Sequence, residues 1–377
     1  MTHLALLPLA LIPSALLPLA LIPPVRERLL RDVRANGRRR SARERAASAS
    51  GVAEHERVFN TGDPVTVRSA AEILATLDPD GTLDGLPFMP EMLDWSGKTF
   101  RVMRRVEKTC VANHPMRRFA DNDVVILDGS RCDGRAHDGC KHACRLFWKE
   151  AWLRPVEAGA TAQGSDARPE AGLEQLRARL KVKSDERRYF CQSTELLRAT
   201  RPFPETPKDW TLRIALREVL SGDVSVSRML RLSRLYLQQK VRRALDRHGW
   251  LQGPHKRTPT ESLNLQAGDV VRVRKRDEIT RTLDHNGRNR GMGICSEMLR
   301  CCGGEAQVRH RVDRIIDEET GLMREIPDTV MLSNIWNSES LAEECLCYGQ
   351  LGDCPRGEVM YWREIWLERV GEKKNGS

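Results

Sequence analysis

The sequence predicts an α+β fold in which two small SH3-like β-barrel modules are joined by a helical insert. Three observations predict it. The chain repeats itself at a constant offset of 206 residues. Each copy reads as short alternating strands opened by a Gly-Asp turn. The segment between the copies has helical periodicity. Sliding the sequence on itself sets Gly62–Val106 on Gly268–Val312 with 19 identities in 45 positions and no gap. Chance does not hold that density at one register.

The N-terminal extension, residues 1–58, precedes both copies. Leu4–Pro24 is apolar and built from a near-duplicate decapeptide. Its length suits a bilayer at ~20 residues. Pro8, Pro13, Pro18 and Pro23 recur through it, and a Pro inside a helix costs about 3 kcal/mol. The segment therefore fits a disordered or membrane-associated extension better than a clean spanning helix.

Module 1, residues 59–156, opens on a Gly-Asp turn and a strand at Val65 and Val67. A helical turn over Ala70–Leu77 follows, with Ser69 as N-cap. Asp80–Gly81 stops it. A loop carries Glu91, Met92 and Leu93. Strands follow over Thr99–Glu107 and Val124–Leu127. Trp148 and Trp152, spaced i, i+4, suit one face of a closing helix, and large aromatics so placed plug a small core.

Residues 157–266 are linker and insert. Glu157–Gly172 is rich in Ala, Gly, Ser and Asp. Helices are predicted at Trp210–Leu220 and Val224–Arg247. The second sets Met229, Leu232, Tyr236, Val241 and Leu245 near one face and arginines on the others. Gly253–Gln266 links onward. Module 2, residues 267–370, repeats the pattern: Val271 and Val273, a helical turn over Asp277–Leu283, the Asn286–Gly287 turn, Glu297-Met298-Leu299, strands over Ala306–Ile316 and Val330–Leu332, then Trp362 and Trp366. Residues 371–377 form a tail.

The net charge is +10 over 377 residues, with 40% apolar and 30% charged content. Its location decides what it means. Arg26–Arg45 contributes +6, and so does Pro207–His248, leaving the remainder near −2. The modules are close to neutral, which weighs against nucleic acid as partner. An anionic membrane surface is the candidate partner for the N-terminus and residues 224–247.

Eleven cysteines, an odd and unevenly placed set, point to a reducing, cytoplasmic setting with membrane association through the N-terminus. The densest group is Cys132, His137, Cys140, His142 and Cys144. Cys110 adds a thiol from the neighbouring strand. Cys110, Cys132, Cys140, Cys144 and His137 are the candidate metal ligands, for zinc or alternatively an iron–sulfur cluster. The competing readings are buried packing and a reactive thiol. Cys191, outside both modules, is a second thiol candidate, though a nucleophile needs a neighbour that lowers its pKa. Copy two keeps only Cys354 opposite Cys140. Its other cysteines, Cys295, Cys301, Cys302, Cys345 and Cys347, form a different set. Glu91 and Glu297, and Glu150 and Glu364, occupy matched positions and read as capping or salt-bridging residues of the shared fold.

The runs GDPVTVRSAAEILATLD, LPFMPEML and FWKEAWLRPV of copy one, with DRIIDEETG and YWREIWLERV of copy two, resemble a family of bacterial proteins with two internal repeats. No activity is assigned to that family, so the resemblance implies no catalytic residue. It does imply an accessory role in polysaccharide or specialised-metabolite biosynthesis. The residues themselves carry no nucleophile–base or phosphate-cradling motif. The expected function is a non-enzymatic binding or adaptor protein, for a protein or small-molecule partner, stabilised by a Cys-rich metal site. An enzyme using the Cys132–Cys144 cluster and a nucleic-acid-binding protein are the alternatives.

Overall fold

In the computed structural model, residues 59–156, 172–202, 215–216, 218–220, 222–245, 251–333, 355–357 and 359–370 are described. The N-terminal extension, the linker up to residue 171, most of the expected Trp210–Leu220 helix, the tail, and Cys345, Cys347 and Cys354 lie outside them.

Strand β1 (Pro64–Val67) forms where Val65 and Val67 alternate with outward residues, and both valines are fully buried. Gly62, at φ 90°, turns the chain into it and donates its N–H to the Val102 carbonyl. Helix α1 (Ala70–Thr76) starts at Ser69. The Ser69 hydroxyl accepts from the Glu72 amide while the Glu72 carboxylate accepts the Ser69 amide at 2.9 Å, a reciprocal cap. The hairpin β2 (Thr82–Leu83) and β3 (Leu86–Pro87) leads to a 3-10 helix at Pro90–Trp95. Then come β4 (Thr99–Arg105), β5 (Arg117–Phe119), β6 (Val124–Arg131) and β7 (Arg145–Lys149). A 3-10 turn at Glu150–Trp152 delivers β8 (Leu153–Pro155) back beside β1. The sheet order is β7-β6-β4-β1-β8, antiparallel throughout.

The insert supplies α2 (Leu173–Arg179), α3 (Gln192–Ala199), β9 (Thr200–Pro202), which pairs with β5, and α4 (Val226–Leu245). The second half repeats the first: β10 (Val270–Val273), α5 (Arg276–Thr280), β11 (Arg288–Asn289), β12 (Met292–Gly293), α6 (Ser296–Leu299), β13 (Glu305–Arg311), β14 (Arg314–Ile316), β15 (Met323–Glu325), β16 (Thr329–Ser333), β17 (Tyr361–Arg363) and, after a 3-10 turn at Glu364–Trp366, β18 (Leu367–Arg369). Its sheet order, β17-β16-β13-β10-β18, matches the first. The sheets also bulge at matching places, between Val102 and Arg104 and between Val308 and His310. A bulge bends the strand and raises its twist. The expected strand over Ala306–Ile316 is two, β13 and β14, parted at Val312–Asp313. Among the described residues no helix is long and apolar enough to cross a membrane.

The closing Trp segment differs from the expected helix. Trp148 lies on β7 and Trp152 on the 3-10 turn, and Trp362 and Trp366 repeat this. Spacing i, i+4 is helical only if the backbone between is. Here Leu146, Phe147 and Trp148 are all buried, which favours a strand enclosed on both faces. All four Trp are at most 2% exposed. Trp152 donates to the Thr76 hydroxyl and Trp366 to the Thr282 hydroxyl, each at 3.1 Å, so each buried indole N–H is satisfied.

The α1–β2 turn of copy one rests on Asp78, whose carboxylate accepts from the Asp80 and Thr82 amides and the Thr82 hydroxyl. Burial pushes this carboxyl up, but those hydrogen bonds outweigh it and hold it below 3.8. A depressed carboxyl stabilises above its unfolded value, and that stability is lost as pH falls through the folded value. Wild type should exceed Asp78→Asn by about 1 kcal/mol at neutral pH, with the gap closing below pH 3.8. Urea midpoints measured against pH check this; a pH-independent gap would contradict it.

Candidate functional site

The β6–β7 connection carries the thiol-rich loop. Its ends are tied by the Cys132 amide donating to the Cys144 carbonyl at 2.8 Å. Inside, the Gly134 carbonyl accepts from His137 and Gly139, and the Cys140 amide donates to the His137 carbonyl. Gly134, Asp138, Gly139 and Ala143 all take positive φ. So tight a coil aims several side chains inward.

His137 is one of them, at 1% exposure. Its Nδ1 lies 2.8 Å from the Glu91 carboxylate and its Nε2 lies 3.2 Å from the Phe190 carbonyl. Burial pushes the Glu91 carboxyl up, but His137 and the Ala136 amide outweigh it and hold it down. A carboxylate and a carbonyl both accept, so each ring nitrogen faces an acceptor. Glu91 also meets the Cys132 thiol at 3.7 Å, while its Oε2 has no hydrogen-bond partner among the described residues.

The insert closes the site from the other side. Cys191 precedes α3, and Gln192 locks α3 to the sheet. The Gln192 amide group donates to the Phe147 and Pro87 carbonyls and its oxygen accepts from the Phe147 amide. Cys132 and Cys191 share the core of the first half. Cys144 and Gln192 line one cleft with His142, Arg145, Ser193 and Arg356. Burial raises every thiol here, and neighbouring thiols add to it at Cys132, Cys144 and Cys191. Cys132 is pushed up by burial, then by Glu91, Cys144 and Cys191. Cys144 is raised by burial, with Cys191 and Cys140 adding while Arg356 opposes. Cys140 is raised by burial. Cys191 is pushed up to about 11. With their values raised, the four thiols are protonated at neutral pH.

The second half reaches the same place. The Ile316 amide donates to Cys140 Sγ at 3.4 Å, and the Lys141 amide to the Arg314 carbonyl. Arg356 grips Glu318 with both terminal nitrogens and donates to Ser193 Oγ at 3.0 Å. Ser193 in turn donates to Glu318 at 2.6 Å.

Of the residues singled out by sequence, Cys132 and Cys191 share the core of the first half, Cys144 lines the adjoining cleft, and Cys140 packs with Tyr189 and Ile316 in a separate cluster. His137 has both ring nitrogens engaged elsewhere. Cys110 is buried and meets the cleft through its carbonyl, which accepts from Arg356. Among the described residues no three Cys, His, Asp or Glu side chains converge closely enough, as placed, to enclose one ion. Sequence reasoning gave Glu91 to the shared fold and passed over Ser193, Glu318 and Arg356. The Glu91 partner sits in a loop that copy two does not share, so no pattern flags the pair. In copy two Cys295 faces Met360 at 3.9 Å, and Cys301 is pushed up to about 12 by burial. No family model, curated protein or solved structure matches the chain.

Proposed function

We propose that this chain is a non-enzymatic binding protein of two SH3-like modules, whose junction is organised by a thiol-ligated metal centre on Cys132, Cys140, Cys144 and Cys191. The SH3-like reading is supported by the strand order, with the last strand returning beside the first after a 3-10 turn. The metal reading is carried by one observation: the insert sets Cys191 in the core against which Cys132 packs, next to Gln192, which shares a cleft with Cys144. Four soft ligands suit zinc or an iron–sulfur cluster. Staggered rotamers give each Sγ alternative positions from which to close a shell. A cation supplies what the raised thiols lack, a counter-charge that favours thiolate. Glu91, whose Oε1 lies 3.7 Å from the Cys132 sulfur, adds negative charge to the same spot. Without a metal, the raised thiols are poor nucleophiles, which favours a binding role over thiolate catalysis.

Elemental analysis and absorption spectra of protein purified anaerobically test this. Wild type should hold stoichiometric zinc or iron. Cys132→Ser and Cys191→Ser should lose most of it, while Cys302→Ser, in the second half, should keep it. Metal-free wild type, or full retention in Cys191→Ser, would leave the thiols as packing and end the proposal.

A further inference from the structure

Helix α4 leaves four large apolar side chains in water. Val226, Leu230, Leu237 and Val241 are 55%, 47%, 44% and 49% exposed. At 3.6 residues per turn they fall within an arc of about 60°, so they form one stripe along nearly the whole helix. The buried side is different: Leu232 is fully enclosed and packs with Val224 and Met229. Val241, assigned by periodicity to the buried face, belongs to the exposed stripe. Of the six cations in Val226–Leu245, the positions of Arg231, Arg234 and Lys240 fall within about 80° of it, and the segment contains no acid. Arg231 and Arg234 are exposed beside the stripe.

The geometry points to α4 as an interfacial helix that docks on an anionic lipid surface, its apolar stripe at the acyl boundary and its arginines among the headgroups. Narrow apolar stripes flanked by Arg and Lys on a helix too polar to span are what such surfaces bind. Each cation near an anionic leaflet adds attraction that fades within a Debye length. Self-pairing along this stripe would bring the flanking cations of two copies together, and like charges across an interface repel. Nucleic acid would use the arginines but leave the leucines in water. The sequence carries a second lipid-directed signal, since nine arginines in Arg26–Arg45 follow the apolar Leu4–Pro24. Lasting attachment takes two such signals.

The test is co-sedimentation of the full chain with phosphatidylcholine vesicles, with and without phosphatidylserine. Wild type should bind the phosphatidylserine vesicles and release as salt rises. The double variant Leu230→Glu/Leu237→Glu should bind about tenfold or more weakly, which corresponds to 1.4 kcal/mol. Arg231→Glu/Arg234→Glu should lose affinity and salt dependence together. Both pairs are exposed, and circular dichroism checks that the variants fold. Undiminished binding by the leucine variant would assign attachment to another segment and overturn the proposal. So would loss in the arginine variant alone, or a wild-type dimer that the leucine variant dissolves without any vesicle binding.

Discussion

Glu364→Ala is expected to destabilise the protein by about 3–5 kcal/mol, the scale for removing one member of a buried ion pair. Glu364 is fully buried. Its carboxylate accepts the Leu263, Asn264 and Leu265 amides at 2.5, 2.9 and 3.1 Å and pairs with Arg311 at 2.6 Å. It thus fastens the chain entering the second half to the turn that closes it. Alanine takes the acceptor from three amides, that of Leu265 buried, and leaves Arg311 only the Leu265 carbonyl among the described residues, and each unsatisfied buried donor costs about 1–3 kcal/mol. Glu364→Gln keeps an acceptor and should lose less. Glu150 holds the matching place in the first half, accepting the Phe59 amide at 3.1 Å and Arg105, so Glu150→Ala should be costly too. Glu368→Ala, which removes only an exposed pair with Arg272, should cost within about 1 kcal/mol. Urea denaturation at constant m-value measures all four. A Glu364→Ala loss no larger than that of Glu368→Ala would refute the argument.

Gly134→Ala is expected to open the thiol loop. A Cβ there would lie 2.0 Å from the Cys140 carbonyl oxygen, and Gly134 sits at φ +70°. The obstacle is backbone, so no side chain can swing away. Relief requires Cys140 to move, and with it the hydrogen bonds that Gly134 accepts from His137 and Gly139. The expected loss is about 3 kcal/mol or more, among the large effects that strain at a special backbone position produces. Retained metal should fall as in Cys132→Ser. Gly139→Ala is the internal control. It has φ +75° in the same loop, but nothing lies within 4 Å of its Cβ. It should cost only the left-handed conformation, about 1–2 kcal/mol. Thermal melts with metal analysis on both variants decide the matter. Equal behaviour would mean the loop yields easily and does not set the thiols.

Much of the scaffold was legible before any coordinates. The Gly-Asp turns, the Ser69–Glu72 cap and the alternating valines are local devices, and each acts within a few residues of itself. The closing Trp pair shows the limit of spacing. Its i, i+4 interval fits a helix, but enclosure by both Phe88 and the sheet makes it strand and 3-10 turn, with Phe88 edge-on to Trp148 and Trp152 at 6.2 and 5.2 Å. In helix α4 the grouping of Val241 with Leu232 fails on the wheel itself: nine residues at about 100° each set them roughly 180° apart, and the structure covers Leu232 and exposes Val241.

The site divides in the same way. Density alone marked Cys132, Cys140 and Cys144, since three thiols within thirteen residues of one loop are conspicuous in any sequence. Cys191 gave no such sign, because nothing in its neighbourhood along the chain predicts its neighbours in space. By itself the sequence determined that one unit occurs twice and where its turns, caps and strands fall. Those depend on backbone sterics and short-range hydrophobic patterning. Only the tertiary structure decided that Cys191 shares a core with Cys132 and that Glu91 faces His137. Those contacts span tens of residues, and the first of them depends on α3, locked through Gln192 onto the edge of the first sheet.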